Sequence, residues 1–141
     1  MKKKNERKIG IVVIAFMALM VTLAFAGSAS ADTIYVPTDY PTIQQAIDAA
    51  SLGDTVFVWN GTYYEGNGVN ISEDSITLQG EDANTTTIHG RWTAEGVVYV
   101  RGDYVNVSGF TVTGSSISRG GIYLSGSCNC RLSRNNATDN N

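Results

Sequence analysis

The chain has 141 residues, with 10 Lys and Arg against 13 Asp and Glu, a formal net charge of −3 and 43% hydrophobic residues. All its lysines fall within the first eight residues, so the part after residue 31 keeps five arginines (Arg91, Arg101, Arg119, Arg131, Arg134) against twelve carboxylates. An acidic, lysine-free body excludes a nucleic-acid partner, because phosphate binding needs clustered cations.

The first residues read as targeting rather than fold. Lys2, Lys3, Lys4, Arg7 and Lys8 form a basic head, an uncharged apolar run occupies residues 9–26, and Gly27-Ser28-Ala29-Ser30-Ala31 supplies the small residues that a signal peptidase reads. This layout predicts a signal peptide over 1–31 with cleavage after Ala31. The competing reading is an uncleaved anchor, since the run just reaches spanning length. The membrane is then met only through that segment, and both readings send residues 32–141 outside the cytoplasmic membrane, secreted or at the cell surface.

Thr33-Ile34-Tyr35-Val36 alternates and is β-branched, which predicts a short strand. From Thr42 the period changes. Ile43, Ala46, Ile47 and Ala50 fall on one helical face, with Thr42 as N-cap and Gly53 closing a helix of about ten residues. Strands and turns follow: Val56/Val58, Val69/Ile71, Ile76/Leu78, Ile88, Val98/Val100, Val105/Val107, Phe110/Val112, Ile122/Leu124 and Cys130/Leu132, punctuated by Gly, Asn, Asp or Ser.

These strands repeat as units. Val98-Tyr99-Val100 overlays Ile122-Tyr123-Leu124 at an offset of 24, and an offset of 29 carries Val69, Ile71, Ile76 and Leu78 onto Val98, Val100, Val105 and Val107. One residue of slippage sets Val105-Asn106-Val107-Ser108 on Cys130-Arg131-Leu132-Ser133. An antiparallel sandwich also has short, even strands, but its strands do not repeat with their turn glycines, as Gly80 does on Gly109. The pattern predicts a stacked solenoid with four inward ladders: Val69/Val98/Ile122, Ile71/Val100/Leu124, Ile76/Val105/Cys130 and Leu78/Val107/Leu132. Asn70, Tyr99, Tyr123, Thr77, Asn106 and Arg131 then point outward. Asn129, Asn135 and Asn136 suit turns, where Asn tolerates left-handed geometry.

Tyr40-Pro41-Thr42-Ile43-Gln44-Gln45-Ala46-Ile47, Gly53-Asp54-Thr55-Val56, Gly61-Thr62-Tyr63-Tyr64-Glu65 and Ile76-Thr77-Leu78-Gln79-Gly80-Glu81 resemble the opening of right-handed parallel β-helix proteins of the pectin-lyase-like superfamily, pectin methylesterases among them. Gly121-Ile122-Tyr123-Leu124-Ser125 through Leu132-Ser133-Arg134-Asn135-Asn136 resembles the repeats of NosD-like and other carbohydrate-associated surface proteins. The resemblance implies an all-β, right-handed parallel β-helix with a short N-terminal capping α-helix, continuing into further coils beyond Asn141. It implies no catalytic residue, because the methylesterase family's catalytic aspartates and their partners belong to later motifs that do not occur here.

Four sets of residues could carry chemistry. Cys128 and Cys130, with His89 as the one histidine, are candidate copper or zinc ligands; structural thiols and a strained disulfide are the alternatives. Glu73-Asp74 and Glu81-Asp82 are candidates for glycoside acid/base chemistry or Ca²⁺, or else solvated turn residues. Among the aromatics Tyr63, Tyr64, Trp92, Tyr99 and Tyr123, the pair Tyr99 and Tyr123, one coil apart, forms either a sugar-stacking face or a plain stacked ladder. Asn60, Asn70, Asn84, Asn106 and Asn136 open N-x-Ser/Thr triplets and are glycosylation candidates. The reading assigns no catalytic residue, no cofactor and no metal. Its partners are further β-helix coils or other surface-layer proteins and polysaccharide, in a structural, adhesive or carbohydrate-contacting role. The alternatives are a polysaccharide-active enzyme with its site in other coils, or NosD-like copper handling.

Overall fold

The computed structural model describes residues 30–93, 96–115 and 120–140, apart from the side chains of Trp92 and Thr93. The expected export segment, but for Ser30 and Ala31, lies outside the described residues, as do Arg119 and the Trp92 side chain. Among the described residues no helix is long and apolar enough to cross a membrane.

Strand β1 (Thr33–Val36) and helix α1 (Ile43–Ala49) come first. Three coils of three strands follow: β2 (Thr55–Val58), β3 (Gly61–Glu65) and β4 (Val69–Ile71); β5 (Thr77–Gly80), β6 (Thr86–Thr93) and β7 (Val98–Val100); β8 (Asn106–Ser108), β9 (Thr111–Ser115) and β10 (Ile122–Leu124). Strands β11 (Arg131–Ser133) and β12 (Asn136–Thr138) begin another. Each strand pairs in parallel with its equivalent one coil away. Three sheets result: a first of order β1-β2-β5-β8-β11, a second of order β12-β9-β6-β3 and a third of order β10-β7-β4. The chain is a parallel β-solenoid of about four turns.

The register is the one the repeats predict. Val69 pairs with Val98 and Val98 with Ile122; Leu78 pairs with Val107 and Val107 with Leu132. Alternation along each strand sends these residues inward, where Val56, Leu78, Val107, Ile88, Val112, Val98 and Val100 are fully buried. Each such side chain contributes roughly 1.5–3 kcal/mol by leaving water. The ladders end differently: Leu124 and Leu132 are 36% and 42% exposed, since no described coil stacks above them.

The corner before the first sheet repeats as strictly as the strands. Ser75, Tyr104 and Asn129 occupy equivalent positions with φ of 59°, 58° and 56°, so the left-handed geometry expected of Asn129 is there, shared with residues less suited to it. Stacking holds them. The Ser75 N–H donates to the Asp103 carbonyl and the Tyr104 N–H to the Cys128 carbonyl. The Asp74 carboxylate accepts the Asp103 N–H (2.8 Å), and the Asp103 carboxylate accepts that of Cys128 (2.6 Å). The expectation for Asn136 is corrected: it opens β12, and the left-handed residue at that corner is Arg134, with φ of 52°. Asn135 is the bridge there, its amide donating to the Val107 carbonyl (2.8 Å) while its oxygen accepts the Phe110 N–H (3.2 Å).

Helix α1 has seven residues rather than about ten, because Ala50 already has extended backbone angles. Thr42 caps it, its hydroxyl accepting the Gln45 N–H (3.2 Å), and Ile43, Ala46 and Ile47 are buried. The helix stands where strands of the first coil would lie and closes the edge they would have covered. The Gln44 side-chain amide imitates a strand: its Oε1 accepts the Asn70 N–H (2.6 Å) and its Nε2 donates to the Asn70 carbonyl (3.2 Å). The buried Glu65 carboxylate accepts the Ile43 N–H (2.7 Å), so the last residue of G-x-Y-x-E ties β3 to the helix N-terminus. Asp54 accepts the N–H groups of Asp32 and Ser51, each at 2.8 Å.

Glu65→Ala leaves helix N–H groups without an acceptor in a buried place and is expected to cost about 1–2 kcal/mol in urea denaturation. The pH dependence of stability carries two opposite signs. The N–H groups of Asp32 and Ser51 hold the Asp54 carboxyl below its ordinary range against a smaller opposing effect of burial. Its stabilisation is full above the unfolded-chain value and is lost as pH falls through the depressed folded value. Asp54→Asn is therefore expected to flatten the acid limb below about pH 4. Burial pushes Glu65 up, outweighing the N–H groups of Ile43 and Gln44. Its contribution is full below the ordinary glutamate value and declines as pH rises through the raised one, a decline that Glu65→Gln is expected to remove.

Candidate functional site

The alternation that buries one half of the first sheet exposes the other half in two columns along the axis. One runs Tyr35–Phe57–Gln79–Ser108–Ser133, the other Thr33–Thr55–Thr77–Asn106–Arg131. At the β1–β2 end the outward side chains are aromatic. Tyr35 and Trp59 stack with centroids 6.1 Å apart and planes at 17°, and Phe57 meets both edge-on at 6.0 and 4.9 Å. Tyr35 remains 39% and Trp59 42% exposed. Toward β11 the face becomes polar and then cationic. Thr77, Asn106, Ser108, Arg131, Ser133 and Arg134 line a shallow depression there.

The edge of this face is shaped by one insertion. Two residues separate β8 from β9 and β11 from β12, whereas residues 81–85 join β5 to β6. That longer loop folds over the next coil, where the Thr111 hydroxyl donates to the Ala83 carbonyl (2.7 Å). Between it and the corners at Ser108, Gly109 and residues 134–136 lies a groove of about 390 Å³. The Glu81 carboxylate accepts the Asn60 N–H (2.9 Å), and Asp82 accepts the N–H (2.7 Å) and side-chain amide (2.9 Å) of Asn84. The Arg134 guanidinium, exposed at the meeting of groove and depression, makes no hydrogen bond or ion pair among the described residues. Carboxylates and neutral hydrogen-bonding groups beside an unpaired cation offer both donors and acceptors to a hydroxyl-rich ligand.

The sequence-predicted residues fall elsewhere, and mostly apart. Cys128 and Cys130 are free thiols at the entry to β11, while His89 lies in β6 of the second sheet against Tyr64, ring centroids 5.3 Å apart, with its buried Nδ1 unpartnered. Among the described residues no three His, Cys, Asp or Glu side chains group to hold a metal. Cys130 continues the Ile76/Val105 ladder, packed on the core with its thiol 3.3 Å from the Gly102 carbonyl oxygen. Glu73-Asp74 and Glu81-Asp82 sit at different corners, exposed. Asp74, Glu81 and Asp82 each accept backbone N–H groups there.

Tyr99 and Tyr123 do share the outer face of the third sheet, stacked at 5.7 Å and 13°. The Arg101 guanidinium lies 5.2 Å from the Tyr99 centroid and donates to the Asn70 side-chain oxygen (3.2 Å) and the Ser72 hydroxyl (3.3 Å). Tyr63 is half-buried, donating to the Trp59 carbonyl (3.0 Å), and burial raises its phenol's pKa. Of the triplet asparagines, Asn60, Asn84 and Asn136 are exposed, and Asn70 and Asn106 half-buried.

Scans of protein-family models, curated proteins and solved structures each gave no match to this chain. The site therefore rests on its own geometry. Sequence reasoning missed the Tyr35–Phe57–Trp59 cluster and the groove. Both had a signal: the aromatics are the outward half of strands whose inward half is Val36, Val56 and Val58, and the 29-residue offset exceeds its neighbour of 24 because of the loop at 81–85.

The burial difference between the thiols sets their reactivity. Cys128, exposed, is expected to react with an aromatic disulfide reagent in the native protein well before the partly packed Cys130. Cys130→Val, which matches Val105 below it, is expected to change unfolding free energy by less than about 1.5 kcal/mol.

Proposed function

We propose that this chain is an exported, cell-surface module of the pectin-lyase-like, NosD-related kind, with a structural or adhesive role, that contacts polysaccharide along the outer face of its first sheet and catalyses no reaction by itself. The observation that carries the reading is the continuity of that face. Gln79, Ser108 and Ser133 form one axial column of neutral hydrogen-bonding groups, Arg131 and Arg134 stand at its end, and the groove opens beside it. A linear polymer laid along the axis meets a neutral hydrogen-bonding group at each of these three coils, about 4.8 Å apart.

The bonding of the enzyme-like opening supports the non-catalytic part. Thr42, Gln44, Glu65 and Asp54 are each engaged in closing the helix or the coil edge, which leaves none of them facing a ligand. The basic head and apolar run ahead of Ala31 support export.

Binding of the secreted chain to immobilised polysaccharides, neutral and acidic, tests this. Arg134→Ala is expected to weaken capture about tenfold, the worth of one charge-assisted hydrogen bond, and the Arg131→Ala, Arg134→Ala double variant more. Undiminished capture by the double variant would remove the face from the proposal, and release of reducing ends from any bound polymer would make the chain an enzyme.

A further inference from the structure

We infer that Asn60 carries an N-linked glycan whose first sugar lies on the Tyr35–Phe57–Trp59 cluster. The cluster is an apolar patch with two rings about two-fifths exposed, so a ligand seated on it would remove apolar area from water. The triplet Asn60-Gly61-Thr62 starts at the residue after Trp59. Sugar C–H groups pack against aromatic faces, whose π-clouds attract their partial positive charge.

The turn holds the attachment point in place. The Trp59 N–H donates to the Val36 carbonyl (3.0 Å), the Asn60 N–H to the Glu81 carboxylate (2.9 Å) and the Gly61 N–H to the Thr85 carbonyl (2.8 Å). The backbone on both sides of the attachment point is thus held, while the Asn60 amide has no hydrogen-bond partner among the described residues and Thr62 is exposed. A rigid anchor beside an exposed aromatic cluster lowers the entropy lost when the sugar settles there.

The other triplets lack this combination. The Asn70 side-chain oxygen accepts from Arg101 and from Ser72 of its own triplet, and the Asn84 amide donates to Asp82. Asn106 is half-buried in β8, in the first sheet's interior, and Asn136 stands three coils along the axis from the aromatic cluster. In the transfer, the Asn60 amide nitrogen attacks the anomeric carbon of a lipid-diphosphate-linked oligosaccharide. The bond from that carbon to the diphosphate oxygen breaks, the lipid diphosphate leaves with the electron pair, and the amide proton passes to a base of the transferase.

The inference rests on the export reading, so its test supplies a foreign leader. Residues 32–141 are secreted from a eukaryotic host that adds N-glycans and released with peptide N-glycosidase in heavy-oxygen water. Peptide mass mapping is expected to find the tag at Asn60. Thermal melts are expected to place the glycosylated protein about 4 °C above both Asn60→Gln and Thr62→Ala, the second of which keeps Asn60 and loses only the glycan. In a Trp59→Ser background the Thr62→Ala difference is expected to shrink to under a degree or so, because the sugar's partner is gone. An unmodified Asn60 overturns the inference. So does a glycan whose effect on melting is the same with and without Trp59, since it would not be seated on the rings. Failure of the natural leader to direct secretion bears on the export reading alone.

Discussion

Parallel pairing between equivalent strands of successive coils is the constraint from which the rest of this molecule follows. A strand in a solenoid satisfies its backbone on one side with the coil below and on the other with the coil above, so register must be kept at every sheet at once. That demand sets inward residues on inward residues, which is why Val69, Val98 and Ile122 form one column. It also sets outward residues on outward ones, which brings Tyr35 over Phe57 and Tyr99 over Tyr123. The outer face of the first sheet is a by-product of the same pairing. Its columns exist because the inward ladders do.

Corners show how the constraint reaches the loops. Ser75 and Tyr104 hold a backbone shape that their types disfavour, and neighbouring coils supply the bonds that hold them there. Where the stack has no strand to offer, side chains take over: Gln44 serves the free edge of β4, and Asn135 and Asn140 each bridge a carbonyl and an N–H of the coil before them. The Asn-rich character of the last coil is therefore part of its backbone bonding.

Sequence alone carried the fold a long way. The offsets of 24 and 29 were whole coils, and the slip to 25 between Val105 and Cys130 matches the register of β8 on β11. The helix was legible from Ile43, Ala46 and Ile47, although its end was not, because Ala50 keeps the apolar period after the backbone has left the helix. The site was far less legible. Periodicity reports which residues face inward, and a binding face is built from the remainder, where no repeat is enforced. Glu81, Asn84, Gly109 and Arg134 come together only when three corners are stacked, and no spacing along the chain encodes that meeting. Glu65 agrees with the reading that the resemblance implies no catalytic residue: its carboxylate is spent on one helix terminus.

A single amide, that of Gln44, does at the edge of β4 what a neighbouring strand does everywhere else. Because the closure is made against one strand, it is indifferent to how many coils lie beyond. Tandem duplication of a coil would leave the closure intact and lengthen the outer face by one strand spacing, about 4.8 Å. The length of that face then becomes a quantity that heredity can count in whole steps, with the chemistry of each step set by the outward residues of the copied coil.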